Sequence, residues 1–207
     1  MRDKKEWDER YEQDDLPWDT GHPDTYLVRM VSRWPKLAAN VLEIGCGTGT
    51  NSIWLAEHGF QVTGMDISSS AIAIAKERAV ERGVNCRFLA DDFLSSPVDN
   101  APFTFVFDRG CFHSTAGEAG RAKFVDRMAS CLGRDGLWFS LMGNSDEVVE
   151  GKGPPRLSAI EIATSVESAF EILKIESCLL EARSLVPPRF WQCLMRVREG
   201  CQAEEKG

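Results

Sequence analysis

Apolar positions along this chain follow two periods in turn, and the switches between them outline its elements. Tyr26, Met30 and Trp34 recur every fourth residue, which predicts a helix over 25–34 that Pro35 stops. Residues 41–44 read as a short buried strand, a glycine turn follows at 45–49, and 51–58 reads as a helix ended by Gly59. A second strand over 60–65 ends in Asp66. A helix over 68–82 has serines to cap it and Gly83 to stop it. Further strands are predicted at 86–89, 103–107 and 136–142. A helix over 120–132 carries Phe124, Met128, Cys131 and Leu132 on one face, and Ser158 with Glu161 forms a capping box that opens a helix to residue 169. Residues 170–176 and 189–198 are strand-like, and they predict a hairpin-like return at the sheet edge. The strand–helix alternation predicts an α/β fold with a mostly parallel sheet and helices on both faces. Such sheets take ligands beyond the carboxyl ends of their strands, where strand order reverses.

Composition narrows the classes. The chain has 207 residues, 43% of them hydrophobic and 27% charged, which suits one folded domain. The charged N-terminus lacks an apolar signal region and no long apolar run reads as a membrane span, so a cytoplasmic protein without membrane contact is expected. The formal charge is -8 with no basic run, which argues against nucleic acid as partner. Seven cysteines, an odd number without a CxxC pair, point to reduced thiols; three scattered histidines give no metal-ligand spacing, so no metal is expected. Residues 1–24 carry Trp7, Tyr11, Leu16 and Trp18 amid charge and read as an N-terminal lid segment. Residues 25–200 form the domain and 201–207 a flexible tail.

The strongest chemical signal is Glu43-Ile44-Gly45-Cys46-Gly47-Thr48-Gly49. Glycines there let the backbone approach a ligand, and the free N–H groups of the following helix face it. Asp66 stands 21 residues after Gly45 at a strand end, where a carboxylate can accept both hydroxyls of a ribose. A dinucleotide site usually reads GxGxxG; here the third glycine comes one residue early and Thr50 takes its place. Glu43 suits a ligand with an ammonium group better than a pyrophosphate. Neither tyrosine has a lysine four residues later, so the pair of a short-chain dehydrogenase is missing.

The segment 41–49 resembles motif I of the class I S-adenosylmethionine-dependent methyltransferases. Residues 64–68, 88–93 and 105–110 resemble the segments after their next three strands, and the likeness runs from about Pro17 to Arg198. The resemblance implies a Rossmann-like, doubly wound, mostly parallel seven-stranded sheet with an antiparallel last strand. It implies S-adenosylmethionine as cofactor and S-adenosylhomocysteine as product. Gly45, Cys46, Gly47 and Gly49 should line the amino-acid tail of the cofactor, with Glu43 steadying the loop or the ammonium group. Asp66 and Ile67 should hold the ribose. Asp92 followed by Phe93 fits the adenine, with Asp91 as the alternative.

Pro17-Trp18-Asp19-Thr20-Gly21-His22-Pro23 resembles the opening motif of thiopurine and plant thiol methyltransferases, and Asp108-Arg109-Gly110-Cys111 resembles the "DRG" segment of the thiopurine enzymes. These relatives methylate soft atoms in small molecules, so a small-molecule acceptor is expected, and the resemblance favours a monomer. Trp18 is the lid candidate over the cofactor or the acceptor, or else an anchor of its segment. Asp108 and Arg109 are expected to face the transfer site, Arg109 holding an anionic acceptor or pairing with Asp108. His113 could take a proton or line the pocket, and Arg156 could bound the acceptor site. A protein, nitrogen or oxygen acceptor, and binding without catalysis, remain the alternatives.

Overall fold

The computed structural model describes residues 3–33, 40–147, 155–183 and 186–203. Trp34, Pro35 and residues 148–154 fall outside the described residues. Six α-helices are present among them: α1 (Lys4–Glu12), α2 (Thr25–Arg33), α3 (Thr50–Glu57), α4 (Ser69–Arg82), α5 (Gly117–Cys131) and α6 (Ala159–Val166). The strands are β1 (Asn40–Ile44), β2 (Gln61–Asp66), β3 (Cys86–Ala90), β4 (Phe103–Arg109), β5 (Leu132–Gly143), β6 (Phe170–Leu179) and β7 (Arg189–Val197). They form one sheet in the order β3-β2-β1-β4-β5-β7-β6. Pairings from β3 through β5 are parallel, and β7 runs antiparallel to both β5 and β6. The chain's last strand is thus inserted between β5 and β6. The expected hairpin-like return stands at the sheet edge, with β6 outermost. The alternating apolar face of β7 explains the insertion, because Cys193 and Met195 fill one core and Leu194 the other.

β1 shows why the sheet lies at the centre. Side chains alternate across a strand. Leu42 and Ile44 join the core under α5 and α6, while Val41 joins the core with Leu27, Leu55, Phe105 and Phe107 on the opposite face. Both faces being covered, β1 reads as a continuous apolar run. Its one charged side chain, Glu43, therefore stands out.

The helix ends are built by local chemistry. Ser68 caps α4, its side chain accepting from Ala71 N, and Gly83 closes the helix in the left-handed conformation. Ser158 and Glu161 form the expected capping box on α6, which ends at Val166, three residues short of the expected limit. A second capping box, Asp3 with Glu6, opens α1 in a segment from which no helix was predicted. Each cap contributes about 1 kcal/mol. The tail also differs from expectation. Cys201 N donates to Arg198 O, and Ala203 N donates to Leu132 O at 2.8 Å, so residues 201–203 are tied to the start of β5.

Candidate active site

Strand order reverses between β1 and β4, and the loops beyond their carboxyl ends meet there. A cleft at this point is walled by Trp18, Asp19 and Asp24 of the N-terminal segment, Glu43 and the glycine turn, Asn51, Arg109 and Glu181. Only the fold brings Trp18, Asp19, Asp24, Arg109 and Glu181 together at the glycine turn, because they come from distant parts of the chain.

The glycine turn is tight by construction. Gly45 has φ 67°, and a Cβ there would stand 2.0 Å from Cys111 Sγ, which no side chain can meet. The turn is pinned from β2: Gly45 N and Cys46 N both donate to Met65 O, and Gly47 N donates to Asp66 Oδ2 at 2.9 Å. The other oxygen of Asp66 accepts from Ser68 N at 2.9 Å. Asp66 thereby joins the loops after β1 and β2. Burial pushes its carboxyl up, against the two backbone donors. Gly49 does not wall the cleft; it begins α3 in the left-handed conformation, with Ala75 and Phe88 close by.

Glu43 is fully buried and accepts from Ser52 Oγ and, at 2.9 Å, from Asn51 Nδ2. Asn51 Oδ1 accepts from Asp24 N at 2.8 Å, so one amide joins β1 to the start of α2. Burial raises the Glu43 carboxyl to about 7, in spite of the Ser52 and Asn51 donors. Asp19 takes hydrogen bonds from Thr48 Oγ1 at 2.7 Å and Arg78 Nη1 at 3.2 Å, and Arg78 Nη1 also reaches Thr48 Oγ1. Burial pushes Asp19 up, but Thr48, Gly21 and Arg78 together hold it below the usual carboxylate range. Trp18 sits edge-on to Trp7 and Tyr11 at 5.5 and 6.2 Å, beneath the Arg10 guanidinium at 4.3 Å.

The residues of the β4 end separate. Arg109 lines the cleft, but its donors go to protein: Nε to Asp24 Oδ2 at 3.1 Å, Nη1 to Trp18 O at 3.0 Å and Nη2 to Glu181 O at 2.7 Å. The expected Asp108–Arg109 pair does not form; Asp24 is the partner. Asp108 is wholly buried and turns away from the cleft, accepting from Cys111 N, Phe112 N and Trp138 Nε1. The expectation that Asp108 faces the transfer site is corrected, because the turn at 110–112 and Trp138 need its carboxylate inside. His113 is also buried, and its Nδ1 accepts from Gly143 N at 2.8 Å. Burial first and Arg156 second lower its pKa to about 4.

Beyond β3, Asp91 N donates to Asp66 O at 3.0 Å. Asp92 caps the next turn, accepting from Leu94 N and Ser95 Oγ, and Asp91 Oδ1 accepts from Ser96 Oγ. Phe93 sends its side chain into the core against Phe124 at 5.0 Å. Its backbone is the part left to meet a ligand. Asp24, Arg78, Asn51 and Glu181 were missed by sequence reasoning. Asp24 and Asp19 lay in or beside the quoted motif; nothing in the sequence singled out Arg78 from the other cations of its helix.

The cleft gathers Asp19, Asp24 and Glu43, each already hydrogen-bonded within the protein, and the bare glycine turn lets α1 pack close: a Cβ on Gly47 would lie 2.9 Å from Tyr11 Oη. Among the described residues no group of three His, Cys, Asp or Glu is placed to hold a metal, and no helix is long and apolar enough to cross a membrane.

Comparison with known proteins agrees with this geometry. Residues 41–136 match the family model described as a methyltransferase domain. The chain is 30% identical over 153 residues to a probable thiol methyltransferase 2 of Arabidopsis thaliana, covering 72% of this chain and 65% of that one. It is 32% identical over 99 residues to a 2-heptyl-1-hydroxyquinolin-4(1H)-one methyltransferase of Mycobacteroides abscessus, covering 47% of this chain and 43% of that one. The chain thus spans less than two thirds of the length of these relatives. A structure solved for the conversion of a disulfide bond into a thioacetal group during echinomycin biosynthesis superposes with a TM-score of 0.82 at 21% identity, over 95% of this chain and 94% of that one. Residues 41–136 therefore carry a methyltransferase domain, and the chain shares the fold of the superposed structure.

Proposed function

We propose that this protein transfers a methyl group from S-adenosylmethionine to a small molecule, with a thiol or another soft nucleophile as the acceptor. The observation that carries this reading is Asp66 bonded to Gly47 N at the reversal of strand order, with the buried Glu43 beside it. When bound, S-adenosylmethionine supplies an electrophilic methyl on a sulfonium. The chain's own residues do the rest. Asp66, with Ile67, holds the ribose. Gly45, Cys46 and Gly47 line the amino-acid tail, Gly49 shapes the turn, and Glu43 holds the loop through Asn51 and Ser52. Asp92, or Asp91, and the backbone of Phe93 take the adenine. Trp18 closes the site from the N-terminal lid segment, which α1 places over the glycine turn. Arg109 positions that segment and the β6–β7 connection as walls. Orientation and exclusion of water supply the acceleration.

The thiol reading draws support from the motif at 17–23, from the Arabidopsis relative named for thiols, and from the sulfur chemistry of the superposed structure. A second reading, transfer to a ring oxygen or nitrogen, draws on the relative named for a hydroxyquinolinone. We read the protein as a cytoplasmic monomer, in keeping with its seven free thiols. Calorimetric titration with S-adenosylmethionine, S-adenosylhomocysteine and NAD tests the cofactor. Methyl transfer to a panel of thiols, selenide, halides and hydroxyquinolines then tests the acceptor. Turnover on thiols supports the first reading and turnover on the hydroxyquinolines alone the second; binding of NAD alone overturns both.

A further inference from the structure

His113 has one ring nitrogen already assigned by its partner. A backbone amide can only donate, so Gly143 N–H at 2.8 Å requires a lone pair on Nδ1. A neutral ring bonded this way carries its hydrogen on Nε2. Burial and the nearby Arg156 both disfavour a second proton, which agrees with the pKa of about 4. At neutral pH the ring therefore has no lone pair to offer and one N–H to give. It cannot serve as the base considered from the sequence.

The free edge of that ring points to the end of β4. His113 is 4% exposed, and a Cβ on Gly110 would stand 3.6 Å from its Cε1 and 3.9 Å from its Nε2, so the bare glycine brings the backbone at the end of β4 close to this edge. Gly110 follows Arg109, which lines the cleft, and precedes Cys111, which touches the glycine turn. The Phe190 ring flanks His113 edge-on at 5.6 Å. Among the described residues Nε2 makes no hydrogen bond. The charge that acts on it is Arg156, whose Nε lies 3.5 Å from Glu147 Oε2.

Resting on the methyltransferase reading, we infer that His113 donates from Nε2 to an acceptor atom bearing negative charge, so that the acceptor reaches the site already ionised. A thiolate pair then forms the new S–CH3 bond as the old methyl–sulfonium bond breaks and leaves its pair on the cofactor sulfur. Two opposite charges are neutralised, no proton moves, and His113 keeps its hydrogen throughout.

The test uses the full chain saturated with S-adenosylhomocysteine and a nitro-substituted thiophenol, whose anion absorbs visible light, so that ionisation of the bound ligand is read directly. The bound thiol is expected to ionise about one pH unit below the free one, the scale of one charged hydrogen bond. His113→Asn keeps an oxygen for Gly143 N but loses the Nε2 donor. It should return the midpoint to its free value and weaken anion binding roughly tenfold, with S-adenosylhomocysteine affinity unchanged. His113→Gln, which restores an amide donor at Nε2, should recover part of the shift. A midpoint unshifted or raised in the wild type, an unaltered shift in His113→Asn, or no binding of the thiolate at millimolar concentration overturns the inference. Failure of S-adenosylhomocysteine to bind in the first titration overturns the methyltransferase reading instead.

Discussion

Arg109 Nη2 donates to Glu181 O at 2.7 Å, and through this bond the end of β4 holds the connection between β6 and β7. The same guanidinium binds Asp24 and Trp18 O, so two chain segments that wall the cleft share one cation. Its fork geometry suits three separate acceptors in a way a lysine does not.

Removing Arg109 should therefore cost stability before it costs chemistry. Asp24 is 4% exposed at its side chain, and loss of its partner leaves a buried carboxylate uncompensated. Arg109→Ala is expected to lower unfolding free energy by about 3 kcal/mol, with Arg109→Lys in between. Urea denaturation at pH 7 checks this. An Arg109→Ala variant as stable as the wild type but unable to use an anionic acceptor returns Arg109 to acceptor binding.

Asp66→Ala should weaken binding of S-adenosylmethionine by about 1.5–3 kcal/mol, the scale of lost charged hydrogen bonds. Gly47 N and Ser68 N lose their acceptor as well, so circular dichroism must first show a folded variant. Unchanged affinity in calorimetry removes Asp66 from the ribose site.

Glu43 and His113 should oppose each other in pH-dependent stability. The Glu43 carboxyl is raised from 4.5 to about 7, so its contribution is full below 4.5 and is lost as pH rises through 7. The His113 ring is lowered from 6.5 to about 4, so its contribution is full above 6.5 and is lost as pH falls through 4. Each spans about 3 kcal/mol, and between 4.5 and 6.5 the two slopes nearly cancel. Glu43→Gln should expose a stability that climbs with pH across this window, and His113→Asn one that declines. Melting curves from pH 4 to 8 check both signs; parallel profiles in the wild type and either variant exclude that residue's share.

Trp18→Ala should reduce turnover more than cofactor affinity if the ring closes over the acceptor. The ring rests on Trp7, Tyr11 and Arg10, so some stability is lost in either case. Separate measurement of kcat and of S-adenosylmethionine binding decides. An equal loss in both, following the melting temperature, makes Trp18 an anchor of its segment.

The sequence by itself determined the order of strands and helices, the glycine turn and the spacing of Asp66. These depend on contacts close along the chain: apolar period, caps and left-handed turns are local properties. The helix α1 escaped notice because only Tyr11 of its nine residues is buried, which leaves little apolar periodicity to read. Tertiary structure alone decided the insertion of β7 between β5 and β6, the burial of Asp108 against Trp138, and the pairing of Arg109 with Asp24 across 85 positions. Neighbouring Asp108 and Arg109 read from sequence as a pair at one mouth. Successive side chains on a strand point to opposite faces, so the fold sends Asp108 into the core and Arg109 to the cleft. His113 received its role in the same way, from a backbone amide 30 residues away that takes the lone pair on Nδ1.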